Sequence, residues 1–181
     1  IRNTQYAIRN TQYAIRNTRY HYTKGFNMAL IEVGTQAPDF TLVDQDNNKH
    51  TLSSYRGKPV VLLFYPLDFS PVCSDEMTCV MDNLTHFNDL DAQVFGISVD
   101  SRYAHKAFAD HKGVTYPLLA DFHPKGEVAK QYGIYLNDFG ISSRGYIIVA
   151  SDGTVSAAKD VKPFNMPDFD EIVAAVKASN A

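Results

Sequence analysis

Val60-Val61-Leu62-Leu63-Phe64-Tyr65-Pro66-Leu67-Asp68-Phe69-Ser70-Pro71-Val72-Cys73 decides how this chain folds. Val60 to Tyr65 is a continuous apolar run, the pattern of a strand buried on both faces of a sheet. A Pro-rich turn follows. Beyond it Met77, Val80, Met81, Leu84, Phe87 and Leu90 recur at three- and four-residue steps, which predicts a helix with one apolar face. A buried strand therefore ends in a turn that delivers Cys73 to a helix N-terminus. There the free N–H groups of the first turn and the positive end of the helix dipole favour the thiolate, the nucleophilic form of cysteine. The competing reading of Cys73 is a small buried apolar side chain. Pro66 and the Ser70 hydroxyl, which can hydrogen-bond a sulfur or a bound oxygen, tilt the balance toward chemistry.

Outward from this stretch the chain alternates between strand and helix signals. Leu30 to Phe40 reads as an extended opening segment. Thr41-Leu42-Val43 and His50-Thr51-Leu52 flank a polar turn, as in a β-hairpin. Gln93 to Ser98 and Tyr116 to Ala120 predict strands. Ser101 caps a helix with Ala104, Ala107, Phe108 and His111 on one side, and Gly126 to Tyr132 is a short helix. Tyr146 to Ala150 and Thr154 to Ala158 form a hairpin around Ser151-Asp152-Gly153. Asp168 caps a last helix that turns Phe169, Ile172, Val173 and Val176 inward. This order predicts an α/β fold, a central mixed β-sheet flanked by helices on both faces, compatible with a thioredoxin-like sheet.

Residues 1–27 are unlike the rest. The unit Ile1 to Ala7 is repeated as Ile8 to Ala14 and again, slightly altered, as Ile15 to His21. A packed core does not select perfect repetition, because each core position has a different environment. There is no apolar region of signal-peptide length, and the apolar residues sit side by side and not at a/d spacing. The segment is read as a disordered leader or a translated repeat, with a presequence role left open by its four Arg and one Lys. Residues 28–181 then form a single domain large enough for one core.

The formal net charge of −3 and the absence of a Lys/Arg cluster in the domain argue against a nucleic-acid partner. No stretch approaches the ~18 apolar residues of a membrane span. Two cysteines, Cys73 and Cys79, do not make a disulfide scaffold, and the expected setting is a reducing, cytoplasmic one.

Pro66-x-x-x-Ser70-x-x-Cys73 resembles the peroxiredoxin signature Pro-x-x-x-Thr/Ser-x-x-Cys. Gly34 to Leu42, Ser53 to Leu62, Phe95 to Asp100 and Arg144 to Val149 resemble further family segments, in order, so the resemblance spans Ile31 to Ala178. It is closest to the bacterioferritin-comigratory (Q-type) branch and the related one-Cys bacterial and archaeal enzymes.

The resemblance implies a thioredoxin-like fold and a thiol-dependent peroxidase that reduces hydrogen peroxide and organic hydroperoxides through a Cys73 sulfenic acid, without cofactor or metal. It further implies that Pro66 shields the site and that Ser70 and the N–H groups of Val72 and Cys73 bind the peroxide. Arg144 would stabilise the thiolate and the leaving oxygen. Ser70 stands where Thr is commoner and keeps the hydroxyl. Glu76 matches a position where the family often carries Glu, although an acid near a helix N-terminus is also favoured by the dipole alone. The implied reductant is thioredoxin or a glutaredoxin-like thiol donor, and the implied assembly is a monomer or a homodimer.

Cys79 is expected on the polar face of its helix, near Asp75, Glu76, Asp82 and Asn83. No second Cys/His pair at ligand spacing supports a metal there. Q-type enzymes with a resolving cysteine in this helix place it five residues after the peroxidatic one, where this chain has Thr78. In an intact helix the step from Cys73 to Cys79 rises ~9 Å, beyond disulfide reach, so the first turns must unwind before the pair can join. A resolving role and direct recycling by an external thiol both stay open. A thioredoxin-like oxidoreductase would want Cys-x-x-Cys, which is absent, and a cysteine hydrolase would want a partner among six His that show no local signature. A non-enzymatic redox-sensing or holdase module using the same cysteine is the alternative of a different class. Phe64, Phe69 and Phe139 could line an apolar approach, although core packing is their ordinary fate.

Overall fold

The computed structural model describes residues 29–179, so the reading of residues 1–27 lies outside the described residues. A small antiparallel hairpin, β1 (Thr41–Val43) and β2 (Lys49–Thr51), leads through a 3-10 turn at Leu52–Tyr55 into β3 (Val60–Phe64). Then come α1 (Pro71–Asp89), β4 (Gln93–Ser98), α2 (Arg102–Lys112), β5 (Leu118–Ala120) and α3 (Glu127–Gln131). A short pair, β6 (Tyr135–Leu136) and β7 (Ile141–Ser142), precedes β8 (Gly145–Val149), β9 (Val155–Asp160) and α4 (Phe169–Ser179).

The main sheet runs in the order β5-β4-β3-β8-β9. β3 is central, parallel to β4 and antiparallel to β8, which is why every residue of it is buried. Alternate β3 side chains enter two cores. Val61, Leu63 and Tyr65 pack with Met77, Val80 and Phe87 of α1, Phe108 of α2, and Ile172 and Val176 of α4. Val60, Leu62 and Phe64 pack on the other face with Phe95, Ile97 and, from the α3 region, Val128, Ala129 and Tyr132. Helices thus cover both faces, as the alternation predicted, and the fold is the thioredoxin-like α/β one. Among the described residues no helix is long and apolar enough to cross a membrane.

The predicted caps are present. Ser101 Oγ accepts the Ala104 N–H at 3.3 Å, and Asp168 Oδ1 accepts those of Asp170 and Glu171 at 3.0 and 3.2 Å. Two local expectations change, and one element was not expected. The strand expected from Tyr116 begins at Leu118, because the Gln45 side chain takes the Tyr116 carbonyl and the Leu118 N–H. The inward face of α2 is His105, Phe108 and Ala109, whereas Ala107 and His111 are exposed. His105 takes the inward place because Asp68 and the Leu119 carbonyl meet its two ring nitrogens, a pairing that helical periodicity does not show. The β6–β7 pair had no sequence signal, since two-residue strands carry no periodicity.

The β3–β8 register decides where the site forms. Phe64 pairs with Gly145, so Arg144 arrives at the carboxyl end of β3, where the chain leaves the sheet for α1. Gly145 has no Cβ for a reason of space: one built there would meet the Lys159 carbonyl oxygen at 2.2 Å.

Candidate active site

Cys73 is the third residue of α1 and is fully buried. Pro71 opens the helix, where its missing N–H costs nothing. Ser70 is the N-cap residue by backbone geometry, with φ −69° and ψ 147°, yet its side chain makes no capping bond, so the helix leaves the hydroxyl uncommitted. Ser70 and Val72 line a cavity of about 380 Å³ together with Pro66, Arg144, Pro163 and Phe164. Leu67, Leu136, Phe139 and Ile141 complete an almost wholly apolar wall. Of the three phenylalanines considered from sequence, only Phe139 lines this approach. Phe64 belongs to the opposite core, and the Phe69 ring lies 5.0 Å from that of Phe108.

Arg144 reaches Cys73 from the start of the neighbouring strand β8, on the sheet face that also carries Tyr146 and Ile148. Its guanidinium is buried, with Nη2 donating to Cys73 Sγ at 3.1 Å and Nη1 donating to Glu76 Oε2. Nε and Nη2 also donate to the Pro163 carbonyl at 3.3 and 3.1 Å. The side chain is therefore fixed from three directions, and one cationic edge is presented to the sulfur. The guanidinium thus stands where it can offset negative charge that develops on the sulfur or on an oxygen bound to it.

Glu76 is fully buried one turn after Cys73, so its role exceeds that of a solvated acid near a helix start. Burial pushes its carboxyl up to about 7, against the opposing pull of the Arg144 charge and hydrogen bond. Its Oε1 is buried with no hydrogen-bond partner among the described residues. The pair is thus a constrained one: Arg144 divides its charge between Glu76 and Cys73.

Cys79 differs from expectation. It is partly buried and packs against the apolar cluster beneath α1, because α1 is covered by α4 as well as by the sheet. Burial, and then the charges of Asp82, Asp75 and Glu76, push its thiol up. Cys73 and Cys79 lie on one unbroken helix from Pro71 to Asp89, and both are free thiols.

The structure thus brings Pro66, Ser70, Val72, Cys73, Glu76 and Arg144 together and holds Cys79 apart from them on the helix. Sequence reasoning missed a second polar group beside the site, formed by Tyr65, Asp68 and His105, whose partners lie up to 40 residues apart. Its only local trace was Asp68, an acid set in an otherwise apolar turn.

Residues 33–158 match the model of the AhpC/TSA family. The chain is 39% identical over 140 residues to a Mycobacterium tuberculosis protein named alkyl hydroperoxide reductase E, over 77% of this chain and 92% of that one. It is 40% identical over 134 residues to peroxiredoxin-2 of Mus musculus, covering 68% and 67% of the two chains. The solved structure of peroxidoxin BcpB from Mycobacterium tuberculosis superposes with a TM-score of 0.73 at 28% identity, covering 83% of this chain and 99% of that one.

Proposed function

The chain belongs to the AhpC/TSA family of peroxiredoxins and is a thiol-dependent peroxidase, and we propose that Cys73 is the residue that attacks the peroxide. The observation that carries this assignment is the 3.1 Å contact of the Arg144 guanidinium with the buried Cys73 sulfur at a helix N-terminus.

The Cys73 thiolate attacks the terminal oxygen of the hydroperoxide in line with the O–O bond. The S–O bond forms as the O–O bond breaks, and the leaving oxygen departs as water or alcohol after taking a proton, so the sulfur becomes a sulfenic acid. Ser70 and the N–H groups of Val72 and Cys73 orient the peroxide. Arg144 offsets first the thiolate charge and then the charge on the leaving oxygen. Pro66 closes one wall of the cavity and limits access by water. An external thiol then attacks the Cys73 sulfur, releasing water and leaving a mixed disulfide, and a second thiol restores Cys73.

We take recycling to be direct. The thiol of Cys79 is raised by burial and acidic neighbours, and its approach to Cys73 would require unwinding α1. Thioredoxin or a glutaredoxin-like protein is the proposed donor, in a reducing, cytoplasmic setting that keeps both thiols free. The reductase and peroxiredoxin names of the relatives give no support to a purely non-enzymatic sensor or holdase. Hydrogen peroxide consumption with dithiothreitol tests the assignment: it should be lost in Cys73→Ser, and retention there would overturn it.

A further inference from the structure

We propose that His105 is a positioning residue for peroxide reduction: by gripping the Asp68 carboxylate it holds the turn that carries Ser70 and delivers Cys73. The proposal rests on the assignment of Cys73 as the peroxidatic residue.

The turn from Pro66 to Ser70 does not hold itself in place. Phe69 has φ 58°, in the left-handed region that a bulky residue adopts only when its surroundings impose it. Three elements anchor the preceding residue. The Asp68 Oδ1 accepts the Tyr65 hydroxyl at 2.8 Å, and the Asp68 N–H donates to Asp100 Oδ2 at 2.9 Å. Asp68 Oδ2 lies 2.9 Å from His105 Nδ1. The His105 side chain is completely buried and that of Asp68 is 2% exposed. Phe69 adds an apolar hold on the same helix, its ring 5.0 Å from Phe108 and 6.0 Å from His111.

Both ring nitrogens of His105 meet acceptors. Nε2 lies 3.2 Å from the Leu119 carbonyl, and Nδ1 faces a carboxylate. A carbonyl only accepts, so Nε2 is the donor to Leu119, and Nδ1 is left to meet the Asp68 carboxyl group. The imidazole then ties the turn to α2 on one side and to β5 on the other.

This matters because the Arg144 contacts reach α1 at Cys73 and Glu76 and do not include Ser70. Arg144 is fixed from β8, by the Pro163 carbonyl and by Glu76. Ser70 and the first turn of α1 are fixed through Asp68, two residues upstream, to α2, to Asp100 just beyond β4 and, through His105, to β5. The Asp68–His105 contact therefore fixes where Ser70 and its turn stand relative to the guanidinium. A misplacement of about 1 Å between reacting groups costs far more in rate than in ground-state contact.

Two substitutions in the full chain separate the contacts of the ring. His105→Asn places an amide N–H near the position of Nδ1 and keeps the Asp68 bond while losing Leu119. His105→Gln reaches toward Leu119 and loses Asp68. The rate of Cys73 oxidation is read by competition with a haem peroxidase for hydrogen peroxide. The rate of Cys73 alkylation by iodoacetamide, read by mass spectrometry of the Cys73 peptide, reports the thiolate without the peroxide-orienting groups. Oxidation should slow about 30-fold in His105→Gln and only about 3-fold in His105→Asn, with alkylation within about 2-fold of wild type in both.

Unchanged oxidation in His105→Gln, or equal losses in the two variants, would overturn the proposal. So would faster alkylation in parallel with the loss, which marks local unfolding and a merely structural role. Should His105→Gln fail to fold, Asp68→Asn supplies the same comparison: slower oxidation at unchanged alkylation is expected, and wild-type oxidation would overturn the proposal. Failure of the underlying reading is visible separately, as wild-type protein without Cys73-dependent peroxide consumption.

Discussion

Arg144 Nη2 lies 3.1 Å from Cys73 Sγ although 71 residues separate them, and the contact exists because β8 pairs antiparallel with β3 and so begins beside the turn to α1. Replacing the guanidinium by an apolar chain of similar length should expose what it contributes. In Arg144→Met, the second-order rate of Cys73 oxidation by hydrogen peroxide should fall roughly a hundredfold, the scale of losing one preorganised charge contact to the reacting atoms. The far-ultraviolet circular dichroism should be unchanged. A rate within a factor of about three of wild type would show that the helix terminus alone activates the sulfur.

Glu76 makes the stability of this protein depend on pH in an unusual direction. Its carboxyl is raised from an ordinary 4.5 to about 7, first by burial. The folded state therefore favours the protonated form, and folding takes up a proton between those values. Wild-type stability should fall as pH rises through this window, by up to about 3 kcal/mol. Glu76→Gln, which mimics the protonated acid, should match the wild type near pH 4.5 and be the more stable protein at pH 8. Thermal unfolding at the two pH values checks this; a pH-independent difference would contradict it.

The apolar wall of the cavity should matter to large peroxides and not to small ones. Phe139 is 59% exposed at its rim. Phe139→Ala removes contact area that cumene hydroperoxide can cover and hydrogen peroxide cannot. KM for cumene hydroperoxide should rise about 5-fold, equivalent to burial of a modest apolar area, while turnover of hydrogen peroxide stays constant. Equal effects on both substrates would place the peroxide path elsewhere.

Cys79 sits on an unbroken helix with a thiol that burial pushes up. Cys79→Ser should leave turnover with thioredoxin within about 2-fold of wild type, since the attacking thiol in direct recycling comes from outside. Mass spectrometry after one equivalent of peroxide should show an added oxygen on Cys73, and a Cys73–Cys79 disulfide would reverse the assignment.

Much of the site was legible in the sequence because its chemistry is local. Pro66, Ser70, Val72 and Cys73 lie within eight residues, and the apolar run and helical periodicity around them place the cysteine at a helix start. Arg144 was legible only through the resemblance to peroxiredoxins, since an isolated arginine before a strand carries no signal of its own. The burial of Glu76 and the inward turn of His105 were not legible. An acid or an imidazole is buried only when a distant partner compensates it, and periodicity reads such residues as surface.

The sequence by itself determined the order of strands and helices and the place of Cys73 in it, because these depend on contacts between neighbours in the chain. Only the tertiary structure decided what surrounds the sulfur. The β3–β8 register brought Arg144 to it, burial coupled Glu76 to the same guanidinium, and the Asp68–His105 contact tied the turn to α2. Those choices are made by pairings between segments 37 or more residues apart, whose energies come from burial and charge compensation that no local pattern records.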